Sequence, residues 1–280
     1  MIIVGVDGSV AARAAVQWAA DDALRMKEPL RIVHAVDRSP YQVGRYSDVA
    51  LPDVLQREGQ RVLREAEALV HERQPSVEVA TQEAEGAPAV VLREQAKDAT
   101  EIVVGSRGLG GFAGALLGSV STHVAGHARC PVVVVRGEHR PVQGEVVVGV
   151  DDSPECEPAL AYAFQQAKLR GSALRVLHAW QLPVHAFAPE ITYDMDEIRR
   201  AQHQVVRDRV AVFAADHPQV TIVEDVQSAH PVDALVDASE RADLLVVGSH
   251  GRGALGSMLL GSVSRGVLHH ARCPVAVVRA

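Results

Sequence analysis

Short apolar runs alternate along the whole chain with longer segments in which apolar residues recur every three or four positions. The short runs, bounded by glycine, proline and polar residues, predict buried strands, and the longer segments predict amphipathic helices. Such alternation is typical of a parallel sheet covered by helices on both faces. In the first half, the pattern predicts strands near 2–7, 30–36, 77–82, 101–105 and 131–136, and helices near 9–27, 52–74, 86–98 and 118–128. The second half repeats this order, with Pro154 near the first turn of its first helix, where proline is tolerated.

The second half repeats the first. Three pairs of segments match at a spacing of 144 residues that shortens to 143: IVGVDGS with VVGVDDS (3–9, 147–153), RIVHA with RVLHA (31–35, 175–179), and CPVVVVR with CPVAVVR (130–136, 273–279). A tandem duplication therefore predicts two domains, 1–137 and 145–280, joined by a solvated linker. Each domain is predicted as an α/β, doubly wound, five-stranded parallel sheet with helices on both faces.

Composition narrows the function classes. Hydrophobic residues make up 48% and aromatic residues 4% of the chain, which fits aliphatic strands buried on both faces. The net charge of −7 argues against a general nucleic-acid-binding protein.

Cys130 and Cys273 occupy matching positions and are predicted to be buried. No apolar run approaches the roughly 18 residues of a membrane span, and no leader is evident, so we expect a cytoplasmic protein.

A glycine pattern follows the fourth predicted strand of each half. It reads Gly105-x2-Gly108-x9-Gly118-Ser in the first copy and Gly248-x2-Gly251-x9-Gly261-Ser in the second. Glycines allow a ligand to approach the backbone closely, and a helix N-terminus attracts anions. Ligands of such sheets lie beyond the carboxyl ends of the strands, where Asp7 and Asp151 are also expected. The pattern predicts two phosphate sites; the alternative is that the glycines only shape a turn. Walker and Rossmann fingerprints are absent.

The glycine spacing, the early Val-Asp-x-Ser and the Cys-Pro-Val strand together resemble the ATP-binding class of universal stress proteins. Over its whole length the chain resembles the tandem two-domain members common in actinobacteria. The resemblance implies strand order 3-2-1-4-5 in each domain, as in adenine nucleotide alpha hydrolase-like folds. It also implies two ATP sites, a homodimer and an unknown protein partner. Asp152, beside Asp151, could recruit Mg²⁺ with the nucleotide, although the first copy has Gly8 there.

The resemblance assigns roles residue by residue. Asp7 and Asp151 would contact the nucleoside, and the backbone at Ala35 and Ala179 would contact adenine. The phosphate and ribose path would be lined by Gly105, Arg107, Gly108, Gly118, Ser119, Val120 and Ser121, and in the second copy by Gly248, Gly251, Arg252, Gly261, Ser262, Val263 and Ser264. Arg107 and Leu109 stand where the second copy has His250 and Arg252, so the two sites are expected to differ in affinity.

The remaining histidines have simpler interpretations. His123 and His127 have a spacing that suits a metal, but a third ligand is missing from the pattern, so a surface helix is favoured. His34 and His178 are predicted to be hydrogen-bonded residues at strand ends. Neither a catalytic-loop motif nor an acidic cluster shared by both copies is present, and we assign no catalytic residue. The predicted function is an ATP-binding regulator of a stress or growth-arrest response. The alternatives are a slow ATPase of the same fold and an assembly scaffold that binds no nucleotide.

Overall fold

The computed structural model describes residues 1–37, 51–110, 117–137, 141–182, 194–251 and 260–280. The chain divides into two compact units, Met1–Pro141 and Val142–Ala280. Within the described ranges, no helix has both the length and the hydropathy needed to cross a membrane.

The first unit alternates strands and helices throughout. Its elements are β1 (Ile2–Val6), α1 (Val10–Met26), β2 (Leu30–Val36), α2 (Leu51–Arg73), β3 (Val79–Glu85), α3 (Pro88–Gln95), β4 (Glu101–Gly105), α4 (Ser119–His127) and β5 (Val132–Val135). All four strand pairings are parallel, and the strand order is β3-β2-β1-β4-β5. The implied order 3-2-1-4-5 is therefore confirmed for this unit.

The second unit has the same architecture. Its elements are β6 (Glu145–Gly149), α5 (Glu157–Arg170), β7 (Ala173–Trp180), α6 (Met195–Ala214), β8 (Ile222–Ser228), α7 (Pro231–Ala238), β9 (Leu244–Gly248), α8 (Ser262–His270) and β10 (Val275–Val278). The strands are again parallel, in the order β8-β7-β6-β9-β10. In both units the first and fourth strands are neighbours, so their carboxyl ends meet at one edge of the sheet.

Aliphatic side chains form the core of each sheet. Every residue of β5 and β10 is buried, as are Ile2 through Val4 in β1. Helix α1 packs against β1 and β4 through a face of small residues that includes Ala15 and Ala19, both fully buried. Small side chains let a helix backbone approach the sheet closely, which brings the start of α1 beside the end of β4.

Two predicted boundaries were wrong. The third strand begins at Val79 rather than near 77 and continues to Glu85. In the second unit, Pro154–Cys156 forms a short 3-10 turn, and α5 begins only at Glu157. Pro158 explains the later start, because proline has no N–H to donate and its ring would clash with the carbonyl group at position 154 in a longer helix. In the first unit, Ser9 caps α1 directly by accepting a hydrogen bond from the backbone N–H of Ala12.

Candidate functional site

In the first unit, two hydrogen bonds attach the start of α4 to the end of β4. The backbone N–H of Gly118 donates to the carbonyl oxygen of Ser106 over 2.8 Å, and the Ser121 hydroxyl donates to the carbonyl oxygen of Gly105 over 2.7 Å. These bonds hold the first turn of α4 at the carboxyl end of the sheet. The Ser121 hydroxyl is therefore engaged within the protein, whereas Ser119 is exposed.

Asp7 joins this segment to the end of β1. Its Oδ1 accepts from the backbone N–H of Ser9 and its Oδ2 from that of Leu109, both over 3.0 Å. The Ser9 hydroxyl in turn lies 3.3 Å from the carbonyl oxygen of Arg107. The carboxylate thus binds the loop after β4 to the turn before α1.

Glycine is required where this loop meets its neighbours. A Cβ atom at Gly108 would lie 2.4 Å from Asp7 Oδ2, and one at Gly105 would lie 2.6 Å from the backbone carbon of Ala11. Neither distance leaves room for a methyl group. The two glycines therefore serve close packing of the loop in this structure, which is the alternative left open by the sequence.

Helix α4 presents backbone donors at its start. Gly118 is the N-cap residue, and no side chain caps this end. The N–H groups of the first turn, at Ser119, Val120 and Ser121, have no acceptor within the helix. Together with the helix dipole, such groups favour an anion. Gly261 and residues 262–264 provide the same arrangement at the start of α8.

The second unit reproduces these contacts. The Gly261 N–H donates to the Ser249 carbonyl oxygen over 2.9 Å, and the Ser264 hydroxyl donates to the Gly248 carbonyl oxygen over 2.6 Å. A Cβ at Gly251 would lie 2.5 Å from Asp151 Oδ2. Asp151 Oδ1 accepts from both the backbone N–H and the hydroxyl of Ser153. Each unit therefore contains the same arrangement of a glycine-rich loop after the fourth strand, an uncapped helix start and an aspartate at the end of the first strand. We call this arrangement the cradle.

A cavity of about 830 Å³ opens over the cradle of the second unit. Every predicted site residue described in this unit lines it: Asp151, Ala179, Gly248, Gly251, Gly261, Ser262, Val263 and Ser264. Its volume lies within the range of small-molecule sites, roughly 300–1,000 Å³. Residues of β7 and α6 line the cavity as well, among them Trp180, Ile198 and Gln202.

Comparison with known proteins places the chain in a family. The profile of the universal stress protein family matches residues 1–136 and again 144–279. The chain belongs to the universal stress protein family. A universal stress protein of Mycobacterium tuberculosis is 40% identical, over 99% of this chain and 96% of its own, and one of Mycobacterium bovis is 35% identical over the same shares.

A solved structure supports the fold over the full length. The crystal structure of a universal stress protein from Archaeoglobus fulgidus superposes with a TM-score of 0.75, at 22% identity, and covers 99% of this chain and 98% of its own. The recognition of a tandem universal stress protein from the glycine spacing is thus confirmed.

The two cradles of this universal stress protein differ at their rims. Arg107 and Leu109 are exposed in the first unit, and the Leu109 N–H is engaged by Asp7. In the second unit, His250 Nδ1 lies 3.0 Å from the Ser249 hydroxyl. Arg252 lies outside the described residues. Ala35 directly follows His34, the β2 residue that pairs with Val6, the last residue of β1.

His34 and His178 form hydrogen bonds within the protein near the ends of their strands, as predicted. His34 Nδ1 lies 2.8 Å from the Val6 carbonyl oxygen, and His178 Nδ1 lies 2.9 Å from that of Val150. The rings of His123 and His127 stack on one helix, and within the described ranges no group of three potential metal ligands occurs. Burial, followed by the nearby His127 and Arg93, lowers the pKa of His123.

The cysteines are buried, as predicted for two of them. Burial raises the pKa of the Cys130 thiol to about 11 and also raises that of Cys156. Cys156 lines the cavity of the second unit, with its thiol 3.6 Å from the Asp151 carbonyl oxygen. A high thiol pKa reduces the thiolate fraction, so neither group is activated as a nucleophile.

The sequence pattern did not predict the cavity residues that lie outside the glycine-rich loop. Trp180, Ile198, Gln202, Pro231 and Leu235 all line it, yet none belongs to the glycine pattern. Trp180 could have been found, because it directly follows Ala179 at the end of a predicted strand. Gln202 carried no such signal, since polar residues are ordinary on the exposed side of an amphipathic helix.

Proposed function

We propose that this universal stress protein binds ATP at two sites, one per unit, and acts in the cytoplasm as a nucleotide-dependent regulator of a stress or growth-arrest response. The observation that carries the proposal is the repeated cradle. In each unit, a glycine-rich loop and an uncapped helix start lie beside an aspartate at the carboxyl end of the sheet. A function common to both halves explains why both kept the same backbone geometry.

The phosphates would be held chiefly by the backbone. Three first-turn N–H groups in each unit, at residues 119–121 and 262–264, supply donors with no helical acceptor. The bare backbone at Gly108 and Gly251 lets the ligand approach the loop. Asp7 and Asp151 would face the nucleoside end, and Arg107 and Arg252 would add positive charge for the phosphates, one in each unit.

A magnesium ion fits this proposal only as a companion of the nucleotide. Mg²⁺ bound with a nucleotide takes most of its ligands from phosphate oxygens and water. Asp151 and Asp152 could supply a carboxylate in the second unit. Within the described residues, however, no cluster of potential ligands could hold the ion alone. The proposed resident ligand is therefore ATP, and the ion would enter with it.

A regulatory role is favoured over rapid catalysis. Fast phosphoryl transfer needs a positioned base or nucleophile and strong charge stabilisation around the transferred group. Ser121 and Ser264, the buried hydroxyls of the cradles, donate to strand carbonyl oxygens. The described part of each cradle thus offers mainly binding groups. Slow hydrolysis at well below 1 s⁻¹ is compatible with this arrangement.

The decisive experiment removes single N–H groups without removing the helix. Proline is well accepted at the first helical position, so Ser119→Pro and Ser262→Pro delete one donor each. Gly118 and Gly261 already have the extended conformation that proline requires before it (ψ 155° and 161°). Ser119→Ala and Ser262→Ala are the matched controls, since they remove only the hydroxyl.

Titration calorimetry with ATP should give two sites in the parent protein. Each proline variant should weaken ATP binding at one site about tenfold, because the loss of one hydrogen bond reduces the binding free energy by about 1.4 kcal/mol. Each alanine variant should bind ATP nearly as tightly as the parent does. No ATP binding to the parent at millimolar concentration would refute the proposal and leave the scaffold alternative.

We also propose a homodimer that presents a nucleotide-dependent surface to a protein partner. Sedimentation that shows only monomer, with and without ATP, would exclude the dimer.

A further inference from the structure

Helix α4, whose first turn belongs to the cradle of the first unit, carries two stacked histidines. The ring centroids of His123 and His127 lie 4.2 Å apart, and the ring planes are 16° from parallel. His127 Nδ1 lies 2.8 Å from the His123 carbonyl oxygen. The Nε2 atom of His123 is buried and has no hydrogen-bond partner among the described residues. Because an unpartnered buried polar atom costs more on a charged ring than on a neutral one, the stack favours neutral rings.

The charged groups around His123 also oppose its protonation. Helix α4 packs against α3 and β5, and β5 consists of valines, so the charged groups come from α3. Arg93 of α3 lies near the stack, and its neighbour Glu94 is engaged by Arg93 and Lys97. Burial, followed by His127 and Arg93, lowers the pKa of His123 from its ordinary value of 6.5. A histidine whose pKa is lowered by folding stabilises the fold above pH 6.5, and this stabilisation is lost as the pH falls.

The second unit has a different contact at the matching positions. Gly266 stands where the first unit has His123, and Val236 stands where α3 carries its arginine. A Cβ at Gly266 would lie 2.8 Å from a methyl group of Val232 on α7, so a side chain there would clash. The first unit has Ala89 in place of Val232, and this smaller residue leaves room for the histidine ring. The two units therefore share the helix pair but not the titratable contact within it.

We infer that the His123–His127 stack is an acid switch of the first cradle: protonation separates the rings, loosens α4 from α3 and weakens ligand binding at that cradle alone. Ser119, the first residue of α4, lies about one helical turn before His123, so the loosening reaches the backbone donors at residues 119–121. The closed stack excludes the proton and the open form accepts it, so acid shifts the equilibrium to the open form. The effect on the ligand rests on the proposed function, whereas the opening of the stack does not.

Hydrogen exchange measured by mass spectrometry on the full chain tests the opening without any ligand. The peptides 118–128 and 261–271 cover α4 and its counterpart α8, and they are compared at pH 7.5 and pH 5.0 after correction for the intrinsic exchange rates. On acidification, peptide 118–128 should lose about tenfold more protection than peptide 261–271. The reason is that pH 5.0 lies well below 6.5, the ordinary pKa at which the open histidine takes up its proton.

Three variants assign the effect to the stack. His123→Phe keeps an aromatic ring against His127 but cannot ionise, so it should abolish the additional opening in acid. His127→Phe should reduce the opening as well, because it removes the repulsive partner. His71→Phe changes an exposed histidine of α2 in the same unit and is the matched control, which should respond to acid as the parent does. The inference is overturned if the two peptides respond alike in the parent, or if the response of peptide 118–128 survives His123→Phe.

Calorimetry with ATP then tests the link to the cradle, in the Ser262→Pro background that isolates the first site. Between pH 7.5 and pH 5.0, ATP affinity should fall about tenfold more in this protein than in the same protein with His123→Phe. Comparing the two proteins cancels the protonation of ATP itself. Equal losses would overturn the link between the stack and the cradle. If neither protein binds ATP at pH 7.5, the proposed function fails, and hydrogen exchange still decides whether the stack opens in acid.

Discussion

Adding one methyl group at Gly108 is the most direct test of the geometry of the first cradle. In Gly108→Ala, the new Cβ would lie 2.4 Å from Asp7 Oδ2, roughly 1 Å inside van der Waals contact. The clashing atom is the end of a short side chain, so the Asp7 carboxylate turns away and the backbone stays. Gly110→Ala is the matched control, because no atom lies within 4 Å of a Cβ at that position.

The cost of the substitution follows from the bond that Asp7 gives up. Its Oδ2 accepts a 3.0 Å hydrogen bond from the exposed Leu109 N–H, and an exposed charged bond of this kind contributes about 1 kcal/mol. The free energy of unfolding should therefore fall by about 1 kcal/mol. ATP affinity at the first site should fall about tenfold, because the loop is released and Asp7 no longer faces the ligand.

The assay is titration calorimetry with ATP in the Ser262→Pro background, which weakens the second site and isolates the first. Urea unfolding of the same proteins measures stability. The reasoning is refuted if Gly108→Ala binds ATP as tightly as Gly110→Ala does. It is also refuted if Gly108→Ala loses several kcal/mol of stability, since the backbone and not the carboxylate would then have moved.

Three further predictions concern stability and reactivity. Gly105→Ala should lower the free energy of unfolding by about 2 kcal/mol more than Gly248→Ala in urea titrations, since its Cβ would meet the α1 backbone at 2.6 Å, against 3.1 Å for the nearest atom at Gly248. Burial opposes ionisation of Asp21, but hydrogen bonds from Arg73 and Gln74 outweigh it and lower the Asp21 pKa. Asp21→Asn should therefore cost about 1 kcal/mol at pH 7 and progressively less below pH ~4, where the parent loses this stabilisation as Asp21 becomes protonated. Cys130, whose pKa is raised to about 11, should react with a thiol reagent at pH 8 far more slowly in the native protein than in urea.

Each of these has a clear contrary result. Equal losses for the two glycine variants would mean that the close approach of α1 does not limit packing. A pH-independent difference between Asp21→Asn and the parent would mean that the Asp21 charge does not contribute. Rapid native labelling at Cys130 would show that local opening exposes the thiol.

The sequence predicted the fold because its signals are local and repeated. Apolar runs and helical periodicity depend on burial of one face or both, and these constraints act within each element. The duplication gave every prediction a second, independent test: segments 31–35 and 175–179 both became strands that pair with the first strand of their unit. The helix boundary that failed, at Pro154, depended on Pro158 in the next turn and on the competing Asp151–Ser153 bond.

The glycine spacing likewise determined the cradle. Gly108 and Gly251 must be glycine because a carboxylate lies against each, and residues 119 and 262 begin a helix because the preceding glycine adopts an extended conformation. What the spacing could not show is that Ser121 and Ser264 direct their hydroxyls to strand carbonyl groups. Those bonds join residues 16 positions apart and exist only after the loop has closed.

Only the tertiary structure decided which residues of α6 and β7 line the cavity of the second unit. Gln202 and His178 are 24 residues apart and come together because α6 packs across β7. The matching position in the first unit is Gly59, where a Cβ would lie 2.6 Å from Glu83 Oε2 and 2.9 Å from His34 Cδ2. The sequence by itself thus determined two copies of one backbone cradle, because the positions of the glycines and the periodicity of the apolar residues fix the local backbone conformation. The difference between the copies depends on side chains brought together from distant elements, and packing alone decides which of them meet.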